Sequence, residues 1–274
     1  MKLWYDLPLL RTLFNRGDEN DWSVRDASPG YADYIAQPTE EQLKELHAFV
    51  EPAFAYGQVR HTARVDLAML VQAYRTRLQE EGRYFEGSAD YERLIEEPRP
   101  TQQLGGQLTT FDAVVFCEGW RTKFNLYFGY LPHGGAKGEV LIIRTAAPPR
   151  LDLMYKHRVF IIPQGNDLYW IGATSENQFT ELGPTDKQQS FLQQRLDEII
   201  QVPYEIIDQL AGVRPTTRDR RMLIGRHPEY ERLFVFTGPG GKGASQGPLG
   251  SEWLAGLVDE GVEVPGEVGI GRWG

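Results

Sequence analysis

The stretch Leu233–Pro248, LFVFTGPGGKGASQGP, decides how the rest of the chain is read. Leu233 to Thr237 form a short, continuously apolar run. Such runs suit strands buried on both faces, as in parallel sheets. Gly238, Gly240 and Gly243 follow at G-x-G-x-x-G spacing, and a helix is expected from about Pro248 to Val258. Strand, glycine loop and helix is the local order of a dinucleotide-binding start. Yet only about 30 residues follow Gly243, and the one further strand-like run is the weak VEVP. The acids at the expected distance, Asp259 and Glu260, sit at a helix end. A P-loop is excluded, because Gly243 is followed by Ala244-Ser245 instead of Lys-Ser/Thr. What survives is the physics of the loop. Consecutive glycines let backbone approach a ligand closely, and the helix behind them aims N–H groups and partial positive charge at it. The plainer alternative is a flexible turn that holds no ligand.

Working outward, the run DAVVFC (Asp112–Cys117) is a second short buried strand of parallel type, ending in Glu118-Gly119-Trp120. Upstream of it, Leu67, Leu70, Val71, Tyr74 and Leu78 recur at helical spacing, with Asp66 as a candidate cap and Gly82 as a natural end. A polar stretch from Ser88 to Gly106, with Pro98 and Pro100 inside it, separates that helix from the strand. Between residues 119 and 215 the character changes. GEVLIIRTA, RVFIIP and DLYWIGAT are closely spaced strands, and Gln164-Gly165-Asn166-Asp167 predicts a hairpin. A helix after Pro184 is expected to turn Phe191, Leu192, Leu196 and Ile199 inward. YEIIDQLAGVRP reads as a further strand. Near the start, Thr39 and Gln42 have capping-box spacing ahead of a helix with Leu43, Leu46 and Val50 on one face, stopped by Pro52. The first 35 residues, rich in aromatic and turn residues, are expected to be irregular with short strands. The sum is a discontinuous α/β domain, with buried segments at 61–118 and 216–274, interleaved with an antiparallel-sheet domain.

Composition bounds the function. The 274 residues are 41% hydrophobic and carry a net charge of −9, with acids and bases mixed along the chain. That argues against a general phosphate-backbone binder, so no nucleic-acid partner is expected. There is no apolar run long enough to span a bilayer, and the start, MKLWYDLPLLRTLF, is a poor signal peptide. Cys117 is the only cysteine, so a reduced, cytoplasmic protein is expected, with Cys117 an inert core thiol. His61, His133 and His157 lack metal-ligand spacing, and no metal is expected. His227 is read as structural. Trp4, Tyr5, Trp22 and Tyr127 either shape a pocket or belong to the core.

The segment AGVRPTTRDRRMLIGRHPEYERLFVFTGPGGKGASQGP (residues 211–248) resembles the C-terminal signature of the D-amino-acid oxidase/glycine oxidase superfamily. FDAVVFCEGW (111–120) resembles that family's D-x-Val-Val-x-Ala-x-Gly-x-Trp strand. FIIPQGNDLYWIGATSE (160–176) resembles its hairpin ending in Gly-Ala-Thr-x-Glu. Lys137-Gly138-Glu139 stands where the family has Arg-Gly-Gln. These segments occur in the family's order and cover most of residues 55–274. The resemblance implies an α/β (mixed α+β) fold in which a partial, Rossmann-like FAD-binding domain interleaves with an antiparallel-sheet substrate domain. The expected division is 1–60 (substrate-domain part), 61–118 (FAD-domain part), 119–215 (antiparallel substrate domain) and 216–274 (C-terminal FAD-domain part). The family's opening G-x-G-x-x-G unit, which holds the FAD pyrophosphate, has no counterpart in residues 1–50. The chain is therefore expected to be a fragment.

The implied cofactor is FAD and the implied reaction is oxidation of a C–N bond in a small-molecule amine or amino acid, with hydride passing to flavin N5. Arg214, the arginine of Gly-x-Arg-Pro, would pair with a substrate carboxylate through its planar fork. Gly238, Gly240, Gly241, Lys242 and Gly243 would line the flavin, Lys242 adding positive charge near N1–C2=O. Gly119 would let the chain pass close to the cofactor. No acid–base dyad is apparent, which suits chemistry carried by a cofactor. Three other outcomes stay open: a non-catalytic remnant that binds no FAD, a domain that oxidises modified uridines in transfer RNA, and an enzyme for a hydroxy acid.

Overall fold

The computed structural model describes residues 2–95, 99–146 and 148–273; Pro98 of the polar stretch lies outside the described residues. In chain order the elements are β1 (Trp4–Asp6), β2 (Leu9–Leu13), α1 (Arg16–Asp26), β3 (Ile35–Ala36), α2 (Glu40–Phe49), β4 (Ala55–Val59) and β5 (Ala63–Val65). Then come α3 (Leu67–Glu80), β6 (Thr101–Leu104), β7 (Gln107–Thr110) and β8 (Val114–Phe116). The middle holds β9 (His133–Thr145), β10 (Met154–Lys156), β11 (Phe160–Gly165), β12 (Leu168–Gly172), α4 (Asp186–Asp197) and β13 (Tyr204–Thr217). The chain closes with β14 (Leu223–Arg226), β15 (Leu233–Thr237) and α5 (Gly243–Glu260). It divides into two compact units: Met1–Asp66 with Lys137–Gly212, and Leu67–Ala136 with Val213–Gly274.

The first unit is built on an eight-stranded sheet in the order β13-β9-β12-β11-β10-β2-β4-β3. β12 pairs antiparallel with both β9 and β11, as the closely spaced strands predict. Gly165, Asn166 and Asp167 take φ values of 88°, 53° and 60°, which turn the β11–β12 hairpin. The core combines strand residues such as Leu10, Leu141, Ile143, Ile161 and Ile171 with Leu46 and Phe49 of α2 and Leu192 and Leu196 of α4. The capping box of α2 forms: Gln42 N donates to Thr39 Oγ1 (3.2 Å) and Thr39 N to Gln42 Oε1 (2.8 Å).

Two expectations for this unit are corrected. Phe191 is 44% exposed, because it sits one residue, about 100° of helix, off the stripe that Leu192 and Leu196 bury. The first 35 residues are not simply irregular, since α1 lies among them. Asn15 caps it, accepting from Asp18 N at 3.1 Å, and only Trp22 is buried along it. A single apolar anchor leaves no helical period in the sequence to detect.

The second unit holds the three-stranded sheet β14-β15-β8. β8 runs parallel to β15, with Val114 opposite Leu233 and Phe116 opposite Val235, while β14 is antiparallel to β15. Phe116, Leu223, Leu233 and Val235 pack with Phe128, Leu131 and Ile270 on one core cluster, and Ile224 and Phe234 with Leu254 and Leu257 of α5 on another. α5 begins at Gly243, before the expected start near Pro248. Proline reads as a helix opener, yet here it stands inside a helix already under way. α3 has the predicted register, but Leu67, Leu70, Val71 and Tyr74 are 48%, 41%, 58% and 58% exposed, and no described residue of it is buried. Periodicity tells which side chains share a face, not whether the face is covered. Cys117, expected in the core, is exposed; it follows Phe116, the last strand residue of β8. No helix among the described residues is long and apolar enough to cross a membrane.

His227 is structural in a specific way. Its Nδ1 accepts from the backbone N–H of Glu229 (3.1 Å) and Tyr230 (3.2 Å), so Nε2 carries the proton and donates to Tyr127 O at 3.1 Å. Burial, only partly offset by the Tyr127 carbonyl, holds its pKa below 6.5. The unfolded chain therefore takes up the proton first as pH falls. The stability contributed by neutral His227 is fully present above 6.5 and is lost as pH falls through the lower folded value. His133 and His157, also depressed by burial, act in the same direction. Melting temperature should fall between about pH 7 and about pH 5, and less steeply in His227→Gln. An equal slope in the variant would remove His227 from this account.

Candidate active site

Two parallel strands deliver their following loops to the same edge of a sheet, and ligands of open α/β sheets bind at that carboxyl edge. β8 and β15 are such a pair. After β8 the chain turns at Gly119 (φ 61°); after β15 it turns at Gly238 (φ 81°) and Gly240 (φ 56°). The two turns are stitched together. Thr237 Oγ1, at the end of β15, donates to Gly119 O at 2.8 Å, and Thr122 Oγ1 donates to the same oxygen at 2.9 Å. Both threonines are buried.

The glycines of the loop differ in what they do. A Cβ on Gly238 would lie 2.4 Å from Thr217 Cγ2, so packing within the unit already excludes a side chain there. A Cβ on Gly119 would meet nothing within 4 Å, and one on Gly240 only Pro215 O at 3.8 Å. At these two positions the left-handed backbone favours glycine, and the missing side chain leaves main chain bare toward open space. Gly241 brings in β13: its Cβ position is 3.9 Å from Arg214 Cδ. Arg214, half-buried, and the glycine loop are thus neighbours in one unit. Gly240–Lys242 form a 3-10 turn that leads directly into α5. Lys242 is exposed, and α5 has neither a side-chain cap nor an acid in its first turn, so nothing on the helix itself neutralises its positive end.

Sequence inspection singled out Gly119, Gly238, Gly240, Gly241, Lys242, Gly243 and Arg214; the structure places all of them in the second unit, around the ends of β8, β13 and β15. Other side chains join them that no local motif announces. Glu118 accepts from Tyr91 OH (2.6 Å) and Asn125 Nδ2 (2.8 Å), and Asn125 Oδ1 in turn accepts from Tyr127 N and Phe128 N. Burial, then the Glu118 carboxylate, pushes the Tyr91 hydroxyl up to about 12. The signal for Thr237 was present, a threonine between strand and glycine. The partners of Glu118 lie 27 residues before it and 7 after it, and nothing local announces them. Of the aromatics, Trp22 belongs to a core cluster, Trp4 is 56% exposed, and Tyr127 stacks on Tyr91 at 6.0 Å.

The model of the DAO family, described as FAD dependent oxidoreductase, matches residues 7–257, and the chain belongs to this family. Glycine oxidase from Geobacillus kaustophilus (strain HTA426) is 28% identical over 153 residues, which is 54% of this chain and 41% of that protein. The match thus spans less than half the length of that relative. The crystal structure of glycine oxidase from Geobacillus kaustophilus superposes with a TM-score of 0.78 at 21% identity, covering 95% of this chain and 72% of that one. L-alpha-glycerophosphate oxidase from Mycoplasma pneumoniae, with FAD bound, superposes with a TM-score of 0.70 at 12% identity, covering 97% of this chain and 76% of that one. At these identities the structural likeness is one of fold: mixed α/β with an antiparallel sheet, as expected.

Proposed function

We propose that the protein serves FAD-dependent oxidation of a C–N bond in a small amino acid or amine. The observation that carries this reading is the convergence of Arg214, the glycine turn Gly238–Gly243 and Gly119 at the carboxyl ends of β8 and β15. The residues suit the ring end of FAD. Bare backbone at Gly119, Gly240 and Gly241 admits a flat ring system, and the start of α5 with Lys242 favours electron-rich atoms at its edge. FAD, when bound, supplies the hydride acceptor at N5. The protein's share is orientation and charge. Arg214 offers a planar fork for a substrate carboxylate. The name of the Geobacillus relative makes glycine the first substrate to test. Purified protein supplied with FAD should turn yellow and quench flavin fluorescence, and glycine should bleach the flavin band in the absence of oxygen. Protein that emerges colourless from gel filtration after incubation with excess FAD would sink the reading. A second reading, oxidation of a hydroxy compound, draws on the glycerophosphate oxidase among the fold neighbours. Bleaching by glycolate and not by glycine would select it.

A further inference from the structure

We propose that Thr237 and Thr122 are positioning residues that set the Gly119 turn for the flavin; this rests on the reading above. Both hydroxyls donate to one acceptor, Gly119 O, at 2.8 and 2.9 Å. A carbonyl oxygen has two lone pairs, and here both are engaged. The negative end of that peptide dipole is therefore held by the protein and is not presented to a ligand. Electron-rich atoms of a cofactor can then approach this turn without repulsion from it.

The pairing also solves an entropic problem. Gly119 opens a short 3-10 helix, Gly119–Phe124, at φ 61° with nothing around its Cβ position, so only that helical turn, with Thr122 inside it, and the Thr237 hydroxyl hold its conformation. A single 3-10 turn opened by a glycine is a weak constraint by itself, and a ligand would have to select its one competent state. Thr237 lies in β15, whose backbone is paired to β14 and β8, so its hydroxyl carries the order of the sheet into the turn. On the other side Glu118, held by Tyr91 and Asn125, fixes the residue before the turn. The threonines need not touch the cofactor. They act through Gly119.

The test is FAD affinity, read by quenching of flavin fluorescence on titration into the full chain, alongside the apoprotein's melting temperature and the visible band shape of the bound flavin. Thr237→Val keeps shape and removes the hydroxyl. It should weaken FAD binding about tenfold, and Thr237→Ser should restore both affinity and band shape. Thr122→Val should repeat the loss independently, so poor folding of one variant leaves the question decidable. Wild-type affinity in both valine variants would overturn the proposal, and so would a serine variant that recovers the melting temperature but not FAD affinity. If wild-type protein takes up no flavin, the proposed function fails and this inference fails with it. If wild type binds and the valine variants bind equally well, only this inference fails.

Discussion

Glu139→Ala should destabilise the protein by about 3–5 kcal/mol, seen as a lowered denaturant midpoint. Lys137 and Glu139 are 2% and 1% exposed, with Nζ 2.8 Å from Oε1. The carboxylate is a hub. It accepts from Thr185 N (2.8 Å), Thr185 Oγ1 (2.9 Å) and Gln209 Nε2 (2.7 Å), joining β9 to the turn before α4 and to β13. Burial alone would raise the Glu139 carboxyl's pKa, but the Lys137 ammonium and the Thr185 donors outweigh it and hold it below the ordinary carboxylate value. Alanine would strip the partner from a buried ammonium and take the shared acceptor from the Thr185 and Gln209 donors. The double variant Lys137→Met with Glu139→Leu should lose less than Glu139→Ala, because it leaves no isolated charge. If Glu139→Ala unfolds like wild type, the pair is not the fastening described here. The sign with pH is also fixed. A depressed carboxylate stabilises above its unfolded pKa, and that contribution is lost as pH falls through the folded value.

Arg214→Ala should cost about a hundredfold in affinity for carboxylate ligands, with little change for an amine that lacks the carboxylate. Acetate and ethylamine are suitable probes, followed by perturbation of the bound flavin's absorption. Arg214→Lys should fall between, since lysine keeps the charge and loses the two-pronged geometry. Equal loss for both probes would mean that Arg214 shapes the site without recognising the carboxylate. No loss for acetate would remove it from substrate binding.

How much of this was legible beforehand follows from the range of the forces involved. Local features were: the capping box at Thr39 and Gln42, the Gly165–Asp167 hairpin and the register of α3 depend on neighbours within a few residues. Long-range features were not. The exposure of Cys117 depends on what stands beside the end of β8, and the sequence of that strand carries no record of it. No repeat marks the helix around Trp22, because its one anchor buries against distant strand residues.

The sequence by itself determined the glycine loop between Thr237 and α5, the Arg214-Pro215 pair at the end of a strand, and the family to which these belong. Those are matters of residue type and spacing, and backbone chemistry is local. Only the tertiary structure decided how Gly119, more than a hundred residues before Gly238, is tied to that loop: β8 pairs beside β15, and the hydroxyl of Thr237 closes the gap between them. Parallel pairing of β8 with β15 makes that contact, and parallel strands are joined only through long connections whose sequence does not name the partner.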